Sequence, residues 1–575
     1  MKLLRFIKYR GQFVVGFIAK TIEVILELML PIFMAILMKE GLNSGGDINK
    51  AYLMVALIIG FAIMGYLSTI YSHKLVAKVS QDFAKNLRQA IFYQVEDLSL
   101  VDINDFSSSS LLNRLNLDVS HLQNGLAMTM RIASRAPVLM IGSIISLFIV
   151  NKKLALILTI GIPIVVAVLI VVMYASMRIF QKFQLQNDKL LENVRDNVEG
   201  ARMIRAFAQV EHEENRFKKR NEALSKIMVK LGRITSLSSP LTTLGFNIIL
   251  IVMIYFGAIE INKFNTSMSQ EQLIQVINYT TQLTLSVIGV MNLILLYTKV
   301  YSSAIRINEI LDKENSVKNE GTITLDSNPA KIEFKNVSFA YGNNSGNILK
   351  NINVTINPGE TIGVVGLTGS GKTTFVDLIM RFFDATEGEV LINDINIKQY
   401  DLVSLRNNIA YASQKAALLQ GNVRDNINMN NIYTEEQINK ALKEAQASFI
   451  LKRDEKLDSK VLRQGVNYSG GQKQRLALSR ALVKQSSILI LDDVFSALDY
   501  MTDYKIRQEL IKREYKQTKI FISQRLSSLF DTDKIIVFDK GKVIDVGTHE
   551  QLLKRNNLYQ KIYNTQVSGG EAWLI

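Results

Sequence analysis

At 575 residues the chain is longer than one domain. It has no cysteine, which excludes a disulfide framework, a thiolate metal site and a cysteine nucleophile, and its four histidines are too few and too scattered for a zinc site. A net charge of +15 fits either nucleic acid or a membrane surface, and the placement of the charge decides between them.

The chain begins with Lys2, Arg5, Lys8 and Arg10 interleaved with Leu3, Leu4, Phe6 and Ile7. That pattern suits a short helix on the cytoplasmic membrane face; the alternative is a solvated start to the next helix. No A-x-A site follows the first apolar run, so no cleavable signal peptide is expected. Six apolar segments follow, at about 13–38, 51–72, 130–150, 154–177, 240–261 and 273–298, each near the ~20 residues that cross a bilayer. In the short loops 39–50, 151–153 and 262–272 the only cations are Lys39, Lys50, Lys152, Lys153 and Lys263. The long stretches 73–129 and 178–239 are rich in Lys and Arg. Positive residues stay inside, so both termini and both long stretches are expected on the cytoplasmic side. The net charge is then a topology signal, and nucleic acid is not an expected partner. Two turn-like segments, Ser99–Arg114 and Gly200–Phe217, interrupt the long inner stretches as candidate cross-helices.

Lys20, Glu23 and Glu27 share one face of the first span at 100° per residue. Ionisable groups at that depth are costly, so the face should see protein or water. Two readings stay open: a self-neutralising structural pair, or a polar patch in a substrate cavity with one acid left over.

Residues 311–330 are polar and aperiodic and read as a linker, which sets a membrane domain at 1–310 and a second domain at 331–565. Alternation over Ile332–Phe339 predicts a strand, with Tyr341 just beyond it. Gly366, Leu367, Thr368, Gly369, Ser370, Gly371, Lys372, Thr373 and Thr374 then fit G-x-x-x-x-G-K-[ST] without a mismatch. An apolar strand precedes them and a helical pattern follows, as the motif requires. Such a glycine loop turns backbone N–H groups around a triphosphate, and the helix N-terminus adds partial positive charge. Lys372 is placed for the β- and γ-phosphates and the Thr373 hydroxyl for Mg²⁺. Farther on, Ser487–Leu491 reads as a buried strand ending in Asp492, placed to hold Mg²⁺, and Asp493, where a general base or water-orienting group would sit. Between the two motifs, Ser469, Gly470, Gly471 and Gln472 open a helix able to grip a second phosphate chain, one belonging to a partner.

Together these motifs resemble an ATP-binding-cassette exporter half-transporter over about 1–563, which implies six membrane helices fused to an α/β P-loop domain. Tyr341 resembles the adenine-stacking loop, Gly366–Thr374 the Walker A loop, and Gln414 the Q-loop glutamine that reaches Mg²⁺ and senses the γ-phosphate. Ser469–Gln472 resembles the family signature, Asp492 the Walker B acid, and Ser496, Ala497, Leu498 and Asp499 the D-loop. Ser99–Arg114 and Gly200–Phe217 look like coupling helices. Three departures matter. The family's Glu after Walker B is Asp493, its switch His is Gln524, and Arg463 stands where an acid is usual before the signature.

The resemblance therefore implies the degenerate-site subunit of a heterodimeric exporter of amphipathic compounds or drugs. ATP and Mg²⁺ would be its cofactors, a second half-transporter its partner, and the cytoplasmic membrane of a bacterium its place. A lipid flippase and an ATP-gated channel or sensor are the alternatives. The tail 566–575 fits no part of the cassette, and Ser568-Gly569-Gly570 reads as an expression scar. Lys372→Ala should abolish nucleotide binding at this chain's own loop, since it removes the charged phosphate clamp. Radiolabelled ATP occupancy equal to wild type would refute that role.

Overall fold

The computed structural model describes residues 2–42, 47–262, 268–342 and 346–568. The expected loop cation Lys263 and the residues beyond Ser568 lie outside them. The chain divides into two units, one of Met1–Gln94 with Ser109–Asp312, the other of Val95–Ser108 with Lys313–Ile575.

The first unit is helical. A 3-10 turn at Lys2–Phe6 precedes α1 (Arg10–Leu42) and α2 (Ile48–Asp97). Next come α3 (Ser108–Val150), α4 (Lys152–Glu199), α5 (Val210–Asn262) and α6 (Gln270–Leu311). Six of its helices are long and apolar enough to cross a membrane, which matches the six expected segments. Their length beyond ~20 residues carries them well past a hydrocarbon layer. Side-chain caps mark their starts. Asn151 Oδ1 accepts from Lys153 N at 2.9 Å and Leu154 N at 3.2 Å, and Ser269 forms a capping box with Gln272. Helix α3 contains two π-type turns, Arg114–Asp118 and Thr129–Ala133. The bundle buries Val24, Leu147, Leu154, Met253 and Tyr279, while Ile149, Ile160, Val171 and Ile251 stay exposed and apolar, as suits lipid contact.

The second unit is a layered α/β domain. Its first sheet has the order β2 (Leu349–Ile356), β1 (Ile332–Phe339), β4 (Glu387–Ile392), β5 (Ile395–Asn396), all antiparallel. Its second has the order β10 (Lys542–Gly547), β9 (Lys534–Asp539), β3 (Thr361–Gly366), β8 (Thr518–Ile522), β7 (Ile488–Asp492), β6 (Ile409–Ala412). All neighbours but β9 and β10 are parallel. Every residue of β7 is buried, which is why its sequence is continuously apolar rather than alternating. Phe334 stacks on Phe375 at 4.4 Å and joins the first sheet to the helix after the glycine loop.

The stretch read as a linker is packed rather than free. Val317, Leu325 and Ala330 are buried in the cassette core, and Asp401 N donates to Ile323 O at 2.9 Å. At Gly321 any Cβ would sit 2.2 Å from Tyr400 O, so only glycine permits this approach. The first turn-like segment holds a short helix at Leu100–Asn104 and the opening turns of α3 at Ser108–Asn113. In the former, Val101 packs against the cassette core. The Asp102 carboxylate is buried and accepts from Ser316 N at 2.8 Å, Ser316 Oγ at 2.7 Å and Ser99 Oγ at 2.5 Å. Burial opposes its charge, yet those donors hold its carboxyl below the usual range. The second segment forms a helix at Ala201–Ala206, with Met203 and Phe207 61% and 72% exposed.

Asp102→Asn puts an N–H₂ where Ser316 donates. It should loosen this docking by about 1–3 kcal/mol while leaving the melting of the cassette sheets unchanged. Hydrogen exchange at residues 95–108 and 313–317 reads it, and wild-type protection there would refute the clamp.

Candidate nucleotide-binding site

The site is assembled at the ends of β3 and β7. Strand β3 stops at Gly366, where a Cβ would lie 2.4 Å from Phe538 O, so the chain must turn away without a side chain. Gly369 and Gly371 have φ of +78° and +101°, and a Cβ on Gly371 would also meet Leu349 at 2.7 Å. Helix α7 (Lys372–Ile379) starts there with its N–H groups toward the loop. Lys372 Nζ curls back to donate to Gly366 O at 2.9 Å and Leu367 O at 3.0 Å. The Ser370 hydroxyl is buried without a hydrogen-bond partner.

Strand β7 delivers Asp492 beside the loop, where Thr373 Oγ1 donates to its Oδ1 at 3.5 Å. Asp493 follows in a left-handed conformation, φ +48°, a strained setting for a non-glycine residue. Its N–H donates to Ile522 O at 2.9 Å. Its Oδ2 accepts from Gln414 Nε2 at 3.1 Å and Gln524 Nε2 at 3.4 Å. Three residues far apart in sequence thus meet on one carboxylate. Asp492 Oδ2 and Asp493 Oδ1 are buried with no hydrogen-bond partner among the described residues. Two orphaned carboxylate oxygens beside a threonine hydroxyl are a hard-oxygen donor set that fits Mg²⁺. Burial raises the Asp492 carboxyl, and burial with the neighbouring Asp492 charge pushes Asp377, on α7, up to about 7. Burial lowers Lys372, against the pull of Asp493 and Asp492.

A cavity of about 270 Å³ opens between Tyr341, Lys372, Thr373, Gln414, Asp492 and Gln524. Tyr341 is held edge-on by Phe339 and Phe383 at 5.0 and 5.1 Å, its hydroxyl is 3.0 Å from Thr374 Oγ1, and 43% of it is exposed. That leaves ring surface for a base to stack on. A hollow of about 320 Å³ beside Lys440, Glu444 and Arg513 is larger but has neither glycine loop nor orphaned carboxylate pair, so the smaller one is the candidate for phosphate chemistry.

Ser469 caps helix α8 (Gly470–Leu482) through a capping box with Gln472 and, with Gly470, is exposed. The space around Gly470 is open. A Cβ on Gly471 would be 3.2 Å from Ala497 O, so the Ser469–Gln472 turn abuts the segment 496–499, the candidate signature and D-loop. Ser496 Oγ donates to Asp493 O at 2.8 Å, and Asp499 caps α9 (Tyr500–Ile511).

Two contributors were not legible beforehand. Arg525 donates to Leu498 O at 2.9 Å and Ser496 O at 3.2 Å, tying the D-loop to the segment of Gln524. Gln566, read as the start of a foreign tail, lies in α10 (Asn557–Ser568). Its Nε2 donates to Gln524 O at 2.6 Å and its Oε1 accepts from Leu526 N at 2.9 Å. The cassette helix therefore runs past the expected boundary at 565. Nothing in the local pattern flags a hydrogen bond across forty residues.

In the membrane unit, Lys20 and Glu23 pair at 2.6 Å and are buried. No acid of the three-residue face is left over: Arg135 Nη2 donates to both oxygens of Glu27 at 2.9 and 3.0 Å. Arg135 lies on α3, so only packing reveals the pair.

Residues 13–287 match the ABC transporter transmembrane region family and residues 349–496 the ABC transporter family of ATP-binding domains. The chain is 31% identical to the uncharacterized ABC transporter ATP-binding protein YfiB of Bacillus subtilis, over 98% of each chain. It is 29% identical to the ATP-dependent lipid A-core flippase of Salmonella typhimurium, over 97% of this chain and 96% of that one. A solved bacterial Atm1-family ABC exporter with ATP bound superposes with a TM-score of 0.81 at 23% identity, covering 97% of this chain and 99% of that one, which shows the shared fold.

Gln566→Ala removes both contacts to the Gln524 segment. Amide exchange at 524–527 should quicken roughly tenfold, the equivalent of one or two net hydrogen bonds. Unchanged protection at Leu526 would refute the strap.

Proposed function

Since this chain belongs to the ABC transporters, with an ATP-hydrolysing cassette that binds ATP with Mg²⁺ fused to a six-helix membrane domain, we propose that it is one half of a heterodimeric exporter of amphipathic compounds and that its own ATP site is the weak one. Lys372 and the glycine loop hold phosphate, Thr373, Gln414 and Asp492 hold Mg²⁺, and Tyr341 stacks on adenine. Bound there, the nucleotide supplies the phosphoanhydride whose hydrolysis drives transport.

The observation that carries the weak-site reading is the Asp493 carboxylate held between two amides. Gln414 and Gln524 both donate to Oδ2. Asp is one methylene shorter than Glu, which retracts the carboxylate by about 1–1.5 Å, and a misplacement of that size costs on the order of 100-fold. Gln524 carries no positive charge to set against a γ-phosphate and no proton to pass on. The signature is intact, exposed and capped, and so is free to serve a partner's nucleotide. Met203 on the short helix Ala201–Ala206 and Phe207 at its C-cap, apolar and exposed, give such a partner a second place to dock. The basic inner stretches support both termini in the cytoplasm and a bacterial cytoplasmic membrane. A lipid flippase is the second reading, favoured by the relative of that name.

Steady-state ATPase of the assembled transporter separates the roles. Asp493→Asn should lower turnover only a few-fold, while Gly470→Asp, which sets charge and bulk against the partner's nucleotide, should lower it at least about 100-fold. If Asp493→Asn is the more damaging, this chain is the catalytic half.

A further inference from the structure

The membrane unit gathers five ionisable side chains where α1 and α3 meet: Lys20, Glu23, Glu27, Arg131 and Arg135. Packing brings their turns together. A Cβ on Gly16 would lie 3.0 Å from Met130 of α3 and 3.4 Å from Leu75 of α2, and Ser72 Oγ donates to Gly16 O at 3.0 Å. Lys20 is one turn on from Gly16, and Arg131 is next to Met130. His73, next to Ser72, lies within electrostatic reach of Lys20, Arg131 and Glu23.

Both acids are already committed. Glu23 takes Lys20 at 2.6 Å and Glu27 takes Arg135 at 2.9 Å. Three cations against two carboxylates leave one positive charge. It falls on Arg131, whose guanidinium makes no hydrogen bond or ion pair among the described residues and whose Nε is buried. The residue is only half-buried, so the end of its guanidinium stays open to an anion from outside the chain, which would offset the cost of a charge near membrane depth. Arg131 also sits within the π-type turn Thr129–Ala133, a departure from α-geometry that recurs at functional sites. A guanidinium presents a planar fork that matches phosphate or carboxylate oxygens, and a cationic cargo would find no free acid here.

We propose that Arg131 receives the anionic head, a phosphate or carboxylate, of the amphiphile this transporter carries. The proposal rests on the export reading and names the class of its cargo. Equilibrium binding of radiolabelled dodecyl phosphate to the nucleotide-free transporter in phosphatidylcholine nanodiscs tests it, with dodecyltrimethylammonium as the cationic counterpart. Wild type should prefer the phosphate amphiphile by about tenfold or more, Arg131→Gln should erase the preference, and Arg131→Lys should keep most of it. Equal or cation-favoured binding by wild type overturns the proposal, and that comparison stands even where the Gln variant does not assemble. So does a preference unchanged in Arg131→Gln, or displacement by inorganic phosphate at the same concentrations, which would mark a free-anion site. ATP-driven uptake of dodecyl phosphate into inverted vesicles is scored separately: its failure with binding intact counts against export and not against the site.

Discussion

Two adjacent carboxylates at the end of a fully buried strand set the terms for the cassette. Asp492 and Asp493 each keep one buried oxygen without a hydrogen bond. Leaving charge in that state costs stability, which a divalent cation bound there would relieve. The surroundings are arranged around this unmet demand. The glycine loop approaches from β3, Gln414 and Gln524 donate to Asp493 from two other segments, and the D-loop hangs from the Asp493 carbonyl through Ser496. The left-handed Asp493 backbone is the strain that lets one strand end serve all of them.

The same segment links the site to the periphery of its unit. Arg525 holds the D-loop, and Gln566 brackets Arg525 by binding the backbone on either side of it. Elsewhere in that unit the segment around Asp102 is bound to Ser316, just past the membrane helices in the chain. The stretch 313–330 is therefore packed structure. It packs with the segment around Asp102 against the cassette core.

In the membrane unit the governing constraint is charge balance under desolvation. Lys20–Glu23 and Glu27–Arg135 are satisfied within the chain, and Arg131 has no such partner among the described residues. On sequence alone the acids are the visible excess on α1. The packed structure changes the charge balance, since α3 contributes Arg131 and Arg135 to the same place.

Local order decided much of this protein. Six apolar runs of bilayer length can only be membrane helices in a chain of this kind, and a buried strand, a glycine loop and a helix in immediate succession specify a phosphate site wherever they occur. Caps at Asn151, Ser269 and Ser469 are local too, because the donor lies within three residues of the acceptor. Tertiary structure alone decided which distant groups meet. Gln414, Asp493 and Gln524 share one oxygen, Glu27 finds Arg135, and Gln566 reaches Gln524 across forty-two residues. Polar side chains carry no periodic signal for such partners. Hydrogen bonds and ion pairs act over about 3 Å, and only the packed chain brings remote residues to that distance.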